Sequence, residues 1–204
     1  MQLAKLVRQV IAVDLTGEML NKARELAFER GIKNVRFELA DVSSLQFEND
    51  SFDLVTTRRA AHHFKDIPKM LSESKRVLKQ GGKLGVVDMS PPEDVEDFFN
   101  EIERLRDSTH NLAFSPIKWQ RLVSDAGLSV THVEVLEEDL TLERWLYPVN
   151  PEGSEALAVR NHWKRASESV KKLMKAREES GSVVGWTKPR IILVAEKNDS
   201  RRPR

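Results

Sequence analysis

The chain has 204 residues, with 33 Lys and Arg against 32 Asp and Glu and a net charge of +1, so no bulk field directs it to nucleic acid or an anionic membrane. It contains no cysteine, which excludes disulfides, a thiolate nucleophile and cysteine-held zinc and fits a reducing cytoplasm. A hydrophobic fraction of 40% suffices for a core, and no apolar run approaches the roughly 20 residues that span a bilayer.

Met1 to Arg8 has no long apolar core and no small-residue cleavage site, so it does not read as a signal peptide. Gln2 to Gln9 reads as the last turns of a helix, with Leu3, Leu6 and Val7 on one face. Val10 to Val13 is a strand with little alternation, as expected when both faces are covered, and it ends at Asp14. Thr16 is placed to cap the next helix, Glu18 sits in its first turn, and Gly31 stops it after a stripe of Leu20, Ala23, Ala27 and Arg30. Val35 to Leu39 is the next strand, followed by Asp41, and Phe52 to Thr57 is a third. Asp66 before Ile67 and Pro68 starts a helix through Met70, Leu71, Val77 and Leu78, which Gly81-Gly82 end. Lys83 to Met89 is a fourth strand, and the alternation of strand and helix predicts a parallel sheet with right-handed crossovers.

Beyond Pro91-Pro92 the texture changes. Val95 to Arg106 is an amphipathic helix with Phe98, Phe99, Ile102 and Leu105 inward, and Asp107 to Phe114 a polar loop. Ser115 and Pro116 start a helix that Gly127 ends, and Leu128 to Val135 alternates as an antiparallel strand does. Leu142 to Tyr147 is a short helix, Ser154 to Glu179 one long charged helix, and Arg190 to Ala195 a last strand. The expected organisation is one domain over residues 1–197. Within it, helices of 92–127 serve as a lid or substrate side, and 140–182 is a helical insertion before the last strand. A polar, disordered tail follows at 198–204.

The chemistry-bearing segments come in a fixed order. Val13-Asp14 leads into Leu15-Thr16-Gly17-Glu18-Met19-Leu20. Leu39-Ala40-Asp41-Val42-Ser43-Ser44 follows, then Phe52-Asp53-Leu54-Val55 with Ala60-Ala61-His62-His63-Phe64, then Arg76-Val77-Leu78-Lys79-Gln80-Gly81-Gly82. In nucleotide-binding α/β folds an acid at a strand end, about 20 residues after a glycine-rich turn, grips ribose hydroxyls. Thirteen residues precede Asp14 here, and none is glycine.

This ordered set resembles the class I S-adenosylmethionine-dependent methyltransferases, and within them the small-molecule branch of ubiquinone and menaquinone biosynthesis. The resemblance covers roughly Val10 to Leu128. It implies a Rossmann-like doubly wound, mostly parallel α/β sheet, S-adenosylmethionine as cofactor, no metal, and a small-molecule methyl acceptor. It also implies roles: Asp14 on the ribose hydroxyls, Leu15 among the cofactor-binding residues, Met19 against the adenine face, Asp41 on the adenine amino group and the Val42 N–H on a ring nitrogen. Arg58 falls near the methionine end, where the family usually carries a small or neutral residue. The segment Arg106-Asp107-Ser108-Thr109-His110 resembles a substrate-side loop, which makes His110 a catalytic candidate, and His63 is the second catalytic candidate.

The family's glycine-rich motif has no counterpart here, and with it the first, central strand is missing. That leaves two strand edges in the middle of the sheet. Three resolutions follow: Val10–Val13 and Phe52–Thr57 pair directly, another chain supplies a strand (a homodimer being one form), or Met1 is an internal start. Two functions stay open, a methyltransferase and a methyltransferase-like binding module that needs a partner or upstream residues. A nicotinamide-dependent dehydrogenase fares worse, since Tyr147 has no lysine four residues on. Adjacent His62 and His63 point to different sides and complete no metal triad; one packs and one lines the pocket. His110 in a polar loop also reads as a surface histidine, and His132 and His162 as structural.

Overall fold

The structure, a computed structural model, describes residues 2–198. Strand β1 (Val10–Asp14) and strand β2 (Val35–Leu39) run parallel, in register from Val10 opposite Val35 to Asp14 opposite Leu39, with helix α1 (Gly17–Glu29) between them. Strands β3 (Phe52–Arg58) and β4 (Leu78–Met89) repeat the unit around helix α2 (Ile67–Val77), which the Asp66 carboxylate caps by accepting from the Lys69 N–H. β4 then pairs antiparallel with β7 (Ser182–Glu196), which also pairs with β5 (Ser129–Thr141) and with the short β6 (Arg177–Glu179).

The sheet is split. β1 and β2 form one two-stranded sheet, and the order β3-β4-β7-β5 forms the other. Direct pairing of β1 with β3 does not occur. The segment after β2 is instead tied to α2: Arg76 donates to the Phe47 carbonyl at 2.7 Å and the Leu45 carbonyl at 2.8 Å. The Glu73 carboxylate accepts from the Leu45 N–H at 2.8 Å. α2 therefore anchors the segment that leaves the β1–β2 unit.

Two glycines near the start of β4 do not end a helix, as the sequence suggests. α2 stops at Val77 and β4 begins at Leu78, with Gly81 at φ 73° in the left-handed region. A Cβ on Gly82 would sit 2.8 Å from the Lys79 carbonyl oxygen, so only glycine lets the strand pass there. The expected N-terminal helix is reduced to a 3-10 turn at Leu3–Lys5, whose exit Asn34 fastens through its amide to the Ala4 carbonyl at 2.7 Å.

The long charged helix expected from Ser154 to Glu179 is three elements: α6 (Ser154–Lys164), α7 (Glu168–Leu173) and β6. The Ser167 hydroxyl caps α7 by accepting from the Val170 N–H. Ser180 and Gly181, at φ 49° and 75°, form the two-residue turn from β6 into β7. β5 and β7 both outrun their expected spans, paired with each other from Ser129 opposite Glu196 to Thr141 opposite Gly185, and acids on β5 meet nearby cations. Glu137 pairs with Lys175 at 2.5 Å, Glu138 with Arg190 and Asp139 with Arg177.

Helices α3 (Glu96–Arg106), α4 (Pro116–Asp125) and α5 (Leu142–Leu146) fall close to expectation, and 3-10 turns at Ala61–His63 and Glu93–Val95 complete the described elements. One core gathers Phe99, Ile102, Trp145, Trp163 and Trp186, so residues of the expected lid and of the expected insertion share one interior. The other lies between α2, α4 and the sheet, with Leu71, Leu84, Trp119, Val123 and Leu193 fully or almost fully buried. Burial of each such side chain contributes about 1.5–3 kcal/mol. Residues 199–204, most of the expected tail, lie outside the described residues.

Candidate functional site

The tips of two parallel strand pairs carry the polar groups of interest. At the first pair, Asp14 ends β1 and Asp41 follows β2 by two residues. The two tips are joined by the Ala40 N–H donating to the Asp14 carbonyl at 3.1 Å. Each acid folds its own turn in the same way. Asp14 Oδ1 accepts from the Thr16 N–H at 2.9 Å and the Thr16 hydroxyl at 2.8 Å. Asp41 Oδ1 accepts from the Ser43 N–H at 2.8 Å and the Ser43 hydroxyl at 2.7 Å.

The Thr16 hydroxyl is thereby spent on Asp14, and α1 has no side-chain cap. In both carboxylates the second oxygen, Oδ2, has no donor among the described residues. The Asp41 carboxyl is held below its ordinary range by the Ser43 N–H first and the Ser43 hydroxyl next, with Lys69 and Lys65 adding to the effect. Leu15 and Met19, beside Asp14, are exposed apolar side chains at 62% and 54%. Paired bare carboxylate oxygens next to apolar side chains suit a ligand with hydroxyl or amino donors and a flat apolar face.

Val42 and Phe64 both pack on the core that holds Ala61, which brings the turn after β2 to the segment after β3. Arg58 ends β3 and is exposed, and Arg59 follows in the left-handed region at φ 52°. The Arg59 N–H donates to the Val87 carbonyl at 2.8 Å. Burial and then the nearby Arg59 and Arg58 lower the Arg190 guanidinium from its usual value.

The histidines fall into one group. His63 is half-buried, with Nδ1 3.0 Å from the Thr109 carbonyl and 3.1 Å from the Thr109 hydroxyl. His110 is buried at 5% exposure, which overturns its reading as a surface histidine. Its Nε2 lies 2.8 Å from Asn100 Oδ1, which also accepts from the Ala113 N–H at 2.6 Å. The Asn100 amide donates to the Glu96 and Ala113 carbonyls, so its orientation is fixed and His110 must donate through Nε2. His110 Nδ1 is then a buried lone pair without a partner. Burial, opposed by Glu103, lowers this imidazole to about 4, so it is neutral at pH 7.

His62, which the sequence reading paired with His63 without choosing which of the two lines the pocket, is held by a buried carboxylate. Its Nδ1 is 2.6 Å from Asp88 Oδ1, with side-chain exposures of 9% and 2%. Asp88 lies next to the last residue of β4, and its carboxylate also accepts from the His62 N–H at 3.2 Å and the Met89 N–H at 2.7 Å. The His62 ring lies 4.1 Å from that of His63 and 5.5 Å from that of His110, centroid to centroid. The signal was present as adjacent histidines after one strand and an aspartate near the end of the next; only the pairing of β3 with β4 joins them. Among the described residues no cluster of His, Cys, Asp and Glu has the arrangement to hold a metal ion, and no helix is long and apolar enough to cross a membrane.

A family model described as a methyltransferase domain matches residues 1–86. The uncharacterized methyltransferase YcgJ of Bacillus subtilis is 39% identical over 142 residues, covering 69% of this chain and 56% of that protein. Its crystal structure superposes with a TM-score of 0.91 at 31% identity, covering 97% of this chain and 86% of that one. The protein YafE of Escherichia coli is 32% identical over 170 residues, 82% of each chain. The ubiquinone/menaquinone biosynthesis C-methyltransferase UbiE of Marinomonas is 38% identical over 86 residues, or 42% of this chain and 34% of UbiE, so the likeness to that branch is partial. The chain thus spans about half of the curated YcgJ and a third of UbiE. With the split α/β sheet, these likenesses establish that the chain belongs to the class I S-adenosylmethionine-dependent methyltransferase family.

Proposed function

We propose that this chain takes part in methyl transfer from S-adenosylmethionine to a small-molecule acceptor. The observation that carries the reading is the matched pair of turn-held carboxylates at the tips of β1 and β2, each with one oxygen bare. Asp14 would accept from the two ribose hydroxyls and Asp41 from the adenine amino group, while the Val42 N–H meets a ring nitrogen. Leu15 and Met19 give the adenine an apolar surface, and Arg58 faces the methionine carboxylate. When bound, S-adenosylmethionine supplies an electrophilic methyl group on a sulfonium. The chain's part is to hold the acceptor in line with it and to exclude water. α3 and α4, in residues 92–127, supply the acceptor side, and the net charge of +1 gives no reason to prefer a nucleic-acid acceptor.

The test is calorimetry with S-adenosylhomocysteine. A Kd in the micromolar range or tighter supports the reading, and no heat at millimolar ligand defeats it. The alternative of a binding module rests on a separate observation: β1 and β3 each present an edge with no partner strand among the described residues, and no glycine precedes Gly17 in the sequence. Under that reading a second chain, such as another copy, completes the sheet. A solution mass equal to one chain at working concentration would remove the homodimer.

A further inference from the structure

We propose that His62, oriented by Asp88, is the base that removes a proton from the methyl acceptor, and that the acceptor is an acidic hydroxyl carried on an aryl or enol carbon. The proposal rests on the methyl-transfer reading above and adds the proton's destination and the acceptor's chemical class.

Geometry fixes the imidazole. A carboxylate as buried as Asp88 needs donors, and it has three: the His62 and Met89 N–H groups and His62 Nδ1 at 2.6 Å. Nδ1 must therefore carry a proton, and in the neutral ring the lone pair is then on Nε2. Nε2 has no partner among the described residues, yet it is not among the fully buried orphaned nitrogens, so it keeps contact with solvent. His110 and His63 flank the ring, and both are positioned by the loop that the sequence marks as substrate-side. The loop's own His110 is a poor base, because its Nδ1 lone pair is sealed from solvent and its Nε2 is committed to Asn100. His63 turns Nδ1 toward Thr109. Of the three imidazoles, His62 is the one in direct hydrogen-bond contact with a carboxylate, which stabilises the cation that forms on taking up a proton.

The base selects the acceptor. An imidazole removes protons efficiently from groups whose acidity is not far from its own, which describes aryl and enol hydroxyls and not aliphatic alcohols; an amine already carries a free pair. In the step, His62 Nε2 takes the hydroxyl proton and the oxygen's electron pair forms the bond to the methyl carbon. The pair of the broken carbon–sulfur bond leaves with the neutral thioether. The proton remains on His62, and Asp88 offsets its charge. Asp88 is a positioning residue, since it acts through the ring.

The test uses the full chain, labelled with nitrogen-15 in histidine and loaded with S-adenosylhomocysteine, and 4-nitrocatechol as the acceptor probe because its ionised form is coloured. The expected nuclear magnetic resonance signature at about pH 7 is a protonated Nδ1 and a bare Nε2 on His62. D88N should shift that ring toward the Nε2–H form. Wild-type protein should bind 4-nitrocatechol in its ionised colour, and H62Q should bind it roughly tenfold more weakly and without that colour, while its affinity for S-adenosylhomocysteine stays within about twofold. A protonated Nε2 in the wild type overturns the proposal without recourse to any variant. So does an unchanged tautomer in D88N, equal binding and colour in H62Q, or no binding of the probe at millimolar concentration. Failure of the wild type to bind S-adenosylhomocysteine strikes the methyl-transfer reading instead, which keeps the two failures apart.

Discussion

Glu103 and Lys188 meet at 2.5 Å inside the core that surrounds Phe99 and Trp186, the carboxylate 1% exposed and the ammonium 11%. Burial alone would raise the Glu103 carboxyl, but Lys188 and Arg106 outweigh it and hold the group below its ordinary range. The Trp145 indole N–H, at 3.3 Å, completes the carboxylate's partners. Removing Lys188 leaves the buried Glu103 carboxylate with Arg106 as its one remaining cation among the described residues. K188M is expected to cost about 3 kcal/mol, and E103L/K188M to recover part of that loss, because a buried ion pair is often no better than apolar groups of similar volume. Denaturant unfolding of K188M, E103L and the double variant measures the cycle; equal losses in K188M and the double would count against a paired charge.

His110 gives stability a pH dependence. Its imidazole titrates at about 4 in the folded chain against an ordinary 6.5. The unfolded chain therefore takes up this proton first as pH falls, and folding stability present above pH 6.5 is lost progressively down to about 4. Thermal unfolding should show a midpoint falling by several degrees over that window. H110Q, which has no proton to take up, should show a flatter decline, and parallel curves for the two proteins would refute the assignment.

Asp14 and Asp41 should matter to ligand and little to fold. Hydrogen bonds to charged groups are worth about 1.5–3 kcal/mol, so D14A and D41A are each expected to weaken S-adenosylhomocysteine binding by roughly tenfold or more. Both acids are near the surface and serve only their own turns, so the unfolding midpoint should move little. Calorimetry beside a thermal melt reads both quantities, and a large drop in melting temperature with unchanged affinity would make the turns structural.

Arg76 ties the turn after β2 to α2 with bonds to Phe47, Leu45, Asn49 and Glu73. Lysine cannot reproduce the planar fork, so R76K is expected to lose about 1–3 kcal/mol. Because this anchor holds the segment that leaves the β1–β2 unit, hydrogen exchange should accelerate in Val10–Asp14 and Val35–Leu39 ahead of β4 and β7. Uniform acceleration across all four strands would show that the anchor is not local.

The sequence by itself determined the elements whose signals are local. Asp66 and Ser115 announced α2 and α4 because a cap acts within three residues, and period-two or buried runs marked β1, β2 and β3 within one residue. It also placed Asp14 and Asp41 at strand tips, since the acid, the hydroxyl two residues on and the strand before them are contiguous. Tertiary structure decided what depends on distant partners. Charge pattern alone merged α6, α7 and β6 into one helix, because the cross-strand partners that hold β6 and extend β5 lie elsewhere in the chain. The same reason hid the His62–Asp88 contact and the burial of His110: a pair separated by 26 residues becomes a pair only when β3 and β4 lie side by side, and one histidine of an otherwise exposed loop becomes interior only when α3 brings Asn100 against it.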